Sequence, residues 1–359
     1  MAGVEERVQK GGRLVFSAAD ATRPAVVAVV AEIGVNHDGD TGVARRLIDA
    51  SAQAGADAVK FQYFRPERLL SNQAELAGYQ KGKAASQRAL LEPLALSIDE
   101  LGRLVEHARG CGLAAVVTPF SPDDPAELSP LGLDAIKTAS PDAVNPPLLR
   151  ACAALGLPML VSTGACALDE LGGVAALLCE HPAGGALLHC VSSYPTPMGG
   201  AQLGGIGVMI DRLNLPVGYS DHTSATHTGA LAVLAGAVVL EKHLTHDRSA
   251  AGPDHAASLD PEGLRAYVAA VREAQRALGV RDKSVTGVER DVRRVSRQSL
   301  CVLHDLPAGH VLTASDLTVK RPGTGLSASE WDTAVGRRLA RRVSANDVLW
   351  AEDLCEPAG

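Results

Sequence analysis

Between residues 25 and 245 the chain alternates eight times between a short β-branched run and, in most intervals, an Ala/Leu-rich amphipathic stretch. The runs are VVAVVAEIGV (26–35), DAVKFQ (57–62), LAAVVTPF (113–120), DAIKTAS (134–140), PMLVSTG (158–164), ALLHCVSSY (186–194), PVGYSDH (216–222) and AVVLEKHLT (237–245). Helical patterns such as ARRLIDASAQAG (44–55) and IDELGRLVEHARGCG (98–112) separate them. Strand, helix, strand at this spacing requires parallel pairing with the helices outside. Eight such units predict an α/β fold closed into a (β/α)8 TIM barrel. An open doubly wound sheet is the alternative, but no G-x-G-x-x-G follows the first run.

Nearly every run stays apolar until its last residues and then turns polar. The ends carry Glu32 and Asn36, Lys60 and Gln62, Thr118, Lys137 and Ser140, Ser162 and Thr163, Ser192 and Tyr194, Ser220 with Asp221 and His222, and Glu241 with His243. In a barrel these ends converge on one mouth, where active sites are built. One polar strand end is an ordinary loop boundary; eight in succession are not.

His222 and His243 end the seventh and eighth runs. Imidazole nitrogen is a good ligand for Mn, Fe or Zn, and two protein ligands leave positions open for substrate. Asp221 and Glu241 are expected to orient the two rings from behind. A lysine in the mouth, Lys60 or Lys137, acts either as a point charge for a phosphate or as a Schiff-base amine. With Thr118, Ser140, Ser162, Ser192 and Ser220 these lysines make a cradle for a small phosphorylated carboxylate. Glu32 and the loop GPDHAASLDP (252–261) add carboxylates, and Asp254 is placed to meet a sugar hydroxyl.

The 359 residues exceed what one core usually holds, and a second small domain is expected. The chain divides into an N-terminal extension (1–24), the barrel (25–280), a charged linker (281–297) and a terminal module (298–359) of short strands and turns. Seven cysteines with no C-x-x-C spacing point away from disulfide scaffolds and toward a reducing cytosol. The start carries mixed charge without a signal-peptide pattern, and the apolar stretch 25–31 is too short to span a bilayer. A net charge of −7 argues against nucleic acid as a partner. A phosphate must then be met by locally gathered cations.

The segments AEIGVNHDGD (31–40), VKFQ (59–62), TPFS (118–121), IKTAS (136–140), VSTG (161–164), LLHCVSSYPTP (187–197), GYSDHT (218–223), LEKHLT (240–245) and GPDHAASLDP (252–261) closely resemble, in this order, the N-acetylneuraminate (sialic acid) synthase family. That family includes the legionaminic and pseudaminic acid synthases. The tail PAGHVLTASDLTVKRPGTG resembles the antifreeze-like (SAF, β-clip) domain that ends those proteins. The resemblance spans roughly residues 25 to 357.

It implies a cytoplasmic enzyme, a domain-swapped homodimer, condensing phosphoenolpyruvate with an open-chain acylamino sugar to a nonulosonic acid and phosphate. By that resemblance His222 and His243 bind Mn2+, with Mg2+ or Co2+ as alternatives. Lys60, Thr118, Lys137, Ser140, Ser162, Ser192 and Ser220 surround phosphoenolpyruvate, and Glu32 holds or deprotonates a water. Gln62, Tyr194 and Asp254 face the sugar, and Arg321 reaches the acyl-amino group in the neighbouring subunit's site. Asp142 stands where the sialic acid synthases generally have glutamate, one methylene longer, which moves its contact to the sugar by about 1.5 Å. Two rival readings are a metal-free Schiff-base aldolase on Lys137 and a non-catalytic carbohydrate-binding protein.

Overall fold

The computed structural model describes residues 14–18, 23–76 and 85–355. Two compact units divide it, residues 1–282 and 283–359. Most of the N-terminal extension and the last four residues of the terminal module lie outside the described residues.

In the first unit, eight strands close into a parallel barrel: β1 (Ala28–Glu32), β2 (Ala58–Tyr63), β3 (Ala114–Pro119), β4 (Ala135–Thr138), β5 (Met159–Ser162), β6 (Gly185–Cys190), β7 (Val217–Asp221) and β8 (Val239–His243). Closure comes from β1, which pairs in parallel with both β2 and β8. Each strand falls inside one of the eight runs or within a residue of it. DAIKTAS is cut to four residues, because Ser140-Pro141 opens a 3-10 turn over Ser140–Val144 and proline has no N–H for the ladder.

Side chains alternate across a strand, and that parity builds the molecule. One set, including Val29, Val59, Phe61, Val117, Ile136 and Leu240, packs outward under the helices. The helix Pro261–Leu278 shows why the covering elements are helical. Its buried residues Leu264, Tyr267, Val268, Val271 and Ala274 recur at spacings of three and four, and Asp260 caps its first turn.

The other set fills the barrel. Toward the closed end it is small: Ala28, Ala58, Ala114, Ala135 and Ala186, with Val30, Val116, Leu160 and Leu188. Leu14 and Phe16 of the N-terminal segment pack against this cluster, and Ser17 pairs with Val26 as an antiparallel bridge. The alanine-rich composition thus fills the narrow barrel interior.

In the second unit, β9 (Ser299–Val302) and β10 (Leu317–Lys320) form an antiparallel pair around Leu300, Val302, Leu306, Leu312 and Leu339. The stretch expected as a linker contains a helix, Arg290–Ser296, and the Arg294 carbonyl accepts from Gly323 N–H within the same unit. No helix among the described residues is long and apolar enough to cross a membrane.

Candidate active site

The inward parity set turns from alanine to ionisable side chains at the C-terminal ends of the strands. Glu32, Lys60, Gln62, Thr118, Lys137, Ser162, Ser220, Glu241 and His243 therefore point into one cavity of about 540 Å3, joined by His222 just past β7. Ser140, Asp142, Tyr194 and Asp254 line it from the loops.

Two buried lysine–glutamate pairs organise the floor. Lys60 Nζ lies 2.5 Å from Glu32 Oε2 and donates to Thr118 Oγ1 at 2.9 Å. Lys137 Nζ lies 3.5 Å from Glu241 Oε1, which accepts from Ser220 Oγ at 2.9 Å. Burial raises the Glu32 carboxyl above its usual range despite Lys60. Burial acts upward on Glu241 too, but Lys137 and Lys60 outweigh it and hold Glu241 at about 2. Two carboxyls in one cavity are thus split, Glu32 suited to exchange a proton and Glu241 fixed as an anion. Burial pushes the Lys137 amine down, with Glu241 opposing.

Two glycines make room for this chemistry. A Cβ on Gly34 would fall 1.9 Å from Glu32 Oε1 and 2.6 Å from Gln62 Nε2, the atoms that share a 3.0 Å hydrogen bond. A Cβ on Gly164 would fall 2.3 Å from Ser192 Oγ, 2.8 Å from Ser140 Oγ and 3.0 Å from Cys190 Sγ. Gly164 N–H itself donates to Ser140 Oγ at 3.0 Å. VSTG therefore brings a backbone donor and two hydroxyls to one spot. Ser192 is the solvent-exposed member of that cluster.

The imidazoles of His222 and His243 lie with ring centroids 5.3 Å apart, and the Tyr194 ring packs 4.0 Å from that of His222. His222 Nδ1 donates to the Val191 carbonyl at 2.9 Å, which leaves the Nε2 lone pair for a ligand. Burial, and then His222 beside it, hold His243 well below the usual histidine range, so it stays neutral. Glu241 Oε2 is buried in the same cavity without a hydrogen-bond donor. The neutral His243 imidazole and the free His222 Nε2 beside an orphaned carboxylate oxygen are a donor set that fits a divalent cation.

One expectation is corrected here. Asp221 does not orient either ring: it has the opposite parity to Ser220 and His222 and faces the helix layer. There its Oδ2 lies 3.1 Å from Lys242 Nζ and accepts from Thr228 Oγ1 at 2.5 Å. Glu241 faces the cavity but bonds Ser220 and Lys137 rather than an imidazole. The polar groups next to the rings are the Val191 carbonyl and Cys190 Sγ at His222 Nδ1, the latter at 3.7 Å, and Asp254, whose Oδ2 is 3.7 Å from His243 Nδ1.

Asp254 is held by a stitched pair of loops. Asn36 Nδ2 donates to the Leu244 carbonyl and to Ser258 Oγ, while His255 bridges Thr245 Oγ1 and Asp38 Oδ1. Asp142 accepts from Asn145 Nδ2 at 2.9 Å. Arg321 follows β10 in the second unit.

An apolar collar completes the cavity: Val35, Phe64, Leu69, Leu91 and Phe120, with Phe64 edge-on to Phe120 at 5.9 Å. It did not register among the sequence motifs, because its members are scattered over loops after three different strands. The signal open to a reader was the aromatic just past each of β2 and β3 in a chain with only 3% aromatics.

Residues 47–283 match the NeuB family model and residues 297–354 the SAF domain model. The chain is 38% identical over 336 residues to the N,N'-diacetyllegionaminic acid synthase of Legionella pneumophila, covering 91% of this chain and 94% of that protein. The chain belongs to the NeuB family. A second N,N'-diacetyllegionaminic acid synthase, from Campylobacter jejuni, is 35% identical over 327 residues, 89% of this chain and 98% of that one. Among solved structures, the N-acetylneuraminic acid (sialic acid) synthetase of Leptospira borgpetersenii, in complex with citrate, superposes with a TM-score of 0.66 at 30% identity, covering 75% of this chain and 92% of that one. The closed barrel and the separate antiparallel unit are thus the two parts of a NeuB-type enzyme.

Proposed function

We propose that this NeuB-family enzyme condenses phosphoenolpyruvate with the open-chain aldehyde of an acylamino sugar, giving a 3-deoxy-2-keto nonulosonic acid and inorganic phosphate. The observation that carries the reading is the meeting of two lysines and two imidazoles in one buried cavity. Within that class a diacetamido hexose is favoured as acceptor. Relatives 38% and 35% identical are named for a diacetylated product, and the apolar collar offers surface to acyl methyl groups.

Lys60 and Lys137 take the phosphate and carboxylate of phosphoenolpyruvate, helped by Thr118, Ser162, Ser220 and the Ser140/Ser192 hydroxyls around Gly164. Carbon 3 of phosphoenolpyruvate bonds to the aldehyde carbon, water adds at carbon 2, and the carbon 2–phosphate oxygen bond then breaks. Glu32, protonated at the outset by its raised pKa, gives that proton to the aldehyde oxygen as the carbon–carbon bond forms and then receives the proton of the water. Gln62, Tyr194, Asp142 and Asp254 position the sugar, with Arg321 of the partner subunit on its acyl-amino group in a swapped dimer. His222 and His243 would hold a divalent cation, which when bound supplies Lewis-acid polarisation of the aldehyde. Two nitrogen ligands favour Mn2+ or Co2+ over Mg2+, which prefers oxygen.

A phosphate-release screen of acylamino aldoses with phosphoenolpyruvate, with and without chelator, tests this. Release with a diacetamido hexose, lost on chelation and in His222→Ala, is expected. Wild-type turnover by His222→Ala would end the proposal. The lowered pKa of Lys137 favours a second reading, a Schiff-base aldolase. Covalent trapping of substrate on Lys137 by borohydride, with chelator-resistant turnover, would establish it instead.

A further inference from the structure

Away from the barrel mouth, three ligand-type side chains meet in the outer helix layer. Asp49 lies on the helix Thr41–Ala54, whose apolar face buries Ala44, Leu47, Ile48 and Ser51. His107 lies in the last turn of the helix Ile98–Gly110, and Cys111 caps that helix four residues later. A spacing of four stacks two helical side chains on one face. His107 Nε2 is 2.8 Å from Asp49 Oδ1, Cys111 Sγ is 3.5 Å from the same oxygen, and Sγ and Nε2 are 3.9 Å apart. Among the described residues this is the one group of three His, Cys, Asp or Glu ligand atoms that all lie within 4.8 Å of one another.

We infer that Asp49, His107 and Cys111 form a zinc-type metal site, separate from the reaction centre, with the fourth position open to water. Bond lengths of about 2.0 Å to nitrogen and oxygen and about 2.3 Å to sulfur set tetrahedral ligand separations of roughly 3.3–3.6 Å. The present triangle of 2.8, 3.5 and 3.9 Å departs from that by about 0.6 Å per edge at most, within reach of small side-chain rotations. One thiol, one imidazole and one carboxylate select a borderline-soft ion over Mg2+ or Ca2+.

The position also favours a cation. The cluster sits at the C-terminal end of Ile98–Gly110, where the unpaired carbonyls carry partial negative charge. His107 is 26% exposed and Asp49 46%, which gives an ion a path in and the fourth position a water. On binding, the Cys111 thiol proton leaves to solvent and the proton on His107 Nε2 moves to Nδ1, so thiolate, neutral imidazole and carboxylate face the ion. The ion then ties the flank of one barrel helix to the end of the next.

The test uses full-length protein stripped with chelator and titrated with Co2+, whose thiolate charge-transfer absorption reports cysteine ligation. One equivalent is expected to produce the band. Cys111→Ser should abolish it, His107→Ala should weaken binding by at least about 10-fold, and His222→Ala should leave it unchanged. A band that is absent from the wild type, survives Cys111→Ser or disappears in His222→Ala overturns the assignment. If a variant fails to fold, the wild type decides alone. Zn2+ should slow alkylation of Cys111, followed by peptide mass, by at least about 10-fold, and an unchanged rate overturns the site.

Discussion

Replacing Lys242 by methionine tests how the strands that carry the two histidines are held in register. Asp221 of β7 and Lys242 of β8 are direct register partners, each one residue before His222 and His243. Both side chains are fully buried, 3.1 Å apart. Lys242 Nζ also donates to the Thr223 carbonyl at 2.5 Å and lies 5.4 Å from the Tyr267 ring centroid. Lys242→Met fills the same volume but leaves the Asp221 carboxylate buried without its cation. Removing one partner of a buried pair costs about 3–5 kcal/mol. For a unit this large each kcal/mol is worth about 2 °C, so the thermal midpoint should fall by roughly 6–10 °C.

The apolar double variant Asp221→Leu/Lys242→Met should recover most of that loss, because no charge is then stranded. Circular dichroism melts and denaturant titrations of the two single variants and the double close the cycle. A Lys242→Met loss below about 1 kcal/mol, or a double variant as damaged as the sum of the singles, would refute the clamp. Mn2+ titration calorimetry adds the functional readout. The single variants should bind about 10-fold more weakly or worse, since the pair sits directly behind the proposed ligands.

Further outcomes follow from other parts of the site. Gly164→Ala puts a methyl 2.3 Å from Ser192 Oγ and 2.8 Å from Ser140 Oγ, and should raise KM for phosphoenolpyruvate about 10-fold, or about 1.4 kcal/mol; an unchanged KM removes this hydroxyl cluster from the phosphate site. Asp142→Glu should shift kcat/KM between mono- and diacetamido acceptors while KM for phosphoenolpyruvate stays fixed, as competing-substrate assays would show. Burial lowers the fully buried His37 from 6.5 to about 4, so the unfolded chain binds a proton there that the folded chain refuses. Its favourable contribution is complete above pH 6.5 and is lost as pH falls toward 4, by about 3 kcal/mol in all. Urea midpoints from pH 7.5 to 4.5 should show that loss in the wild type and not in His37→Gln.

The barrel was legible because eight repeats of one pattern admit few architectures, and the mouth because the polarity switch recurs at the same end of each run. Inward orientation was legible too, since parity alone puts Lys60 with Gln62, and Glu241 with His243, on one face. What parity within a strand does not tell is which residues meet across strands. Asp221 looked like a ring partner because it is next to His222 in sequence, but adjacency in a strand means opposite faces. Its partner Lys242 is found only once β7 and β8 are in register. The second unexpected contact, Val191 to His222, comes from a backbone carbonyl, which no residue type announces.

The charge inside the cavity constrains the chemistry further than the residue types do. Lys60 and Lys137 face Glu32, Asp142, Glu241 and Asp254, so with these six groups ionised the cavity carries two net negative charges before any substrate arrives. Phosphoenolpyruvate adds more negative charge to a place shielded from water, where repulsion is weakly screened. Two features offset it. Glu32 has its pKa raised by burial and can enter the complex protonated. The imidazole of His243, held neutral by burial, gives a divalent cation a nitrogen ligand without adding charge of its own. On the proposed reading the lysines place the enol phosphate, and the proton on Glu32 together with an ion at the histidines would make its charge tolerable. Phosphoenolpyruvate affinity should rise with divalent ion concentration and fall as pH is raised. Affinity independent of both would mean that the lysines alone balance the substrate.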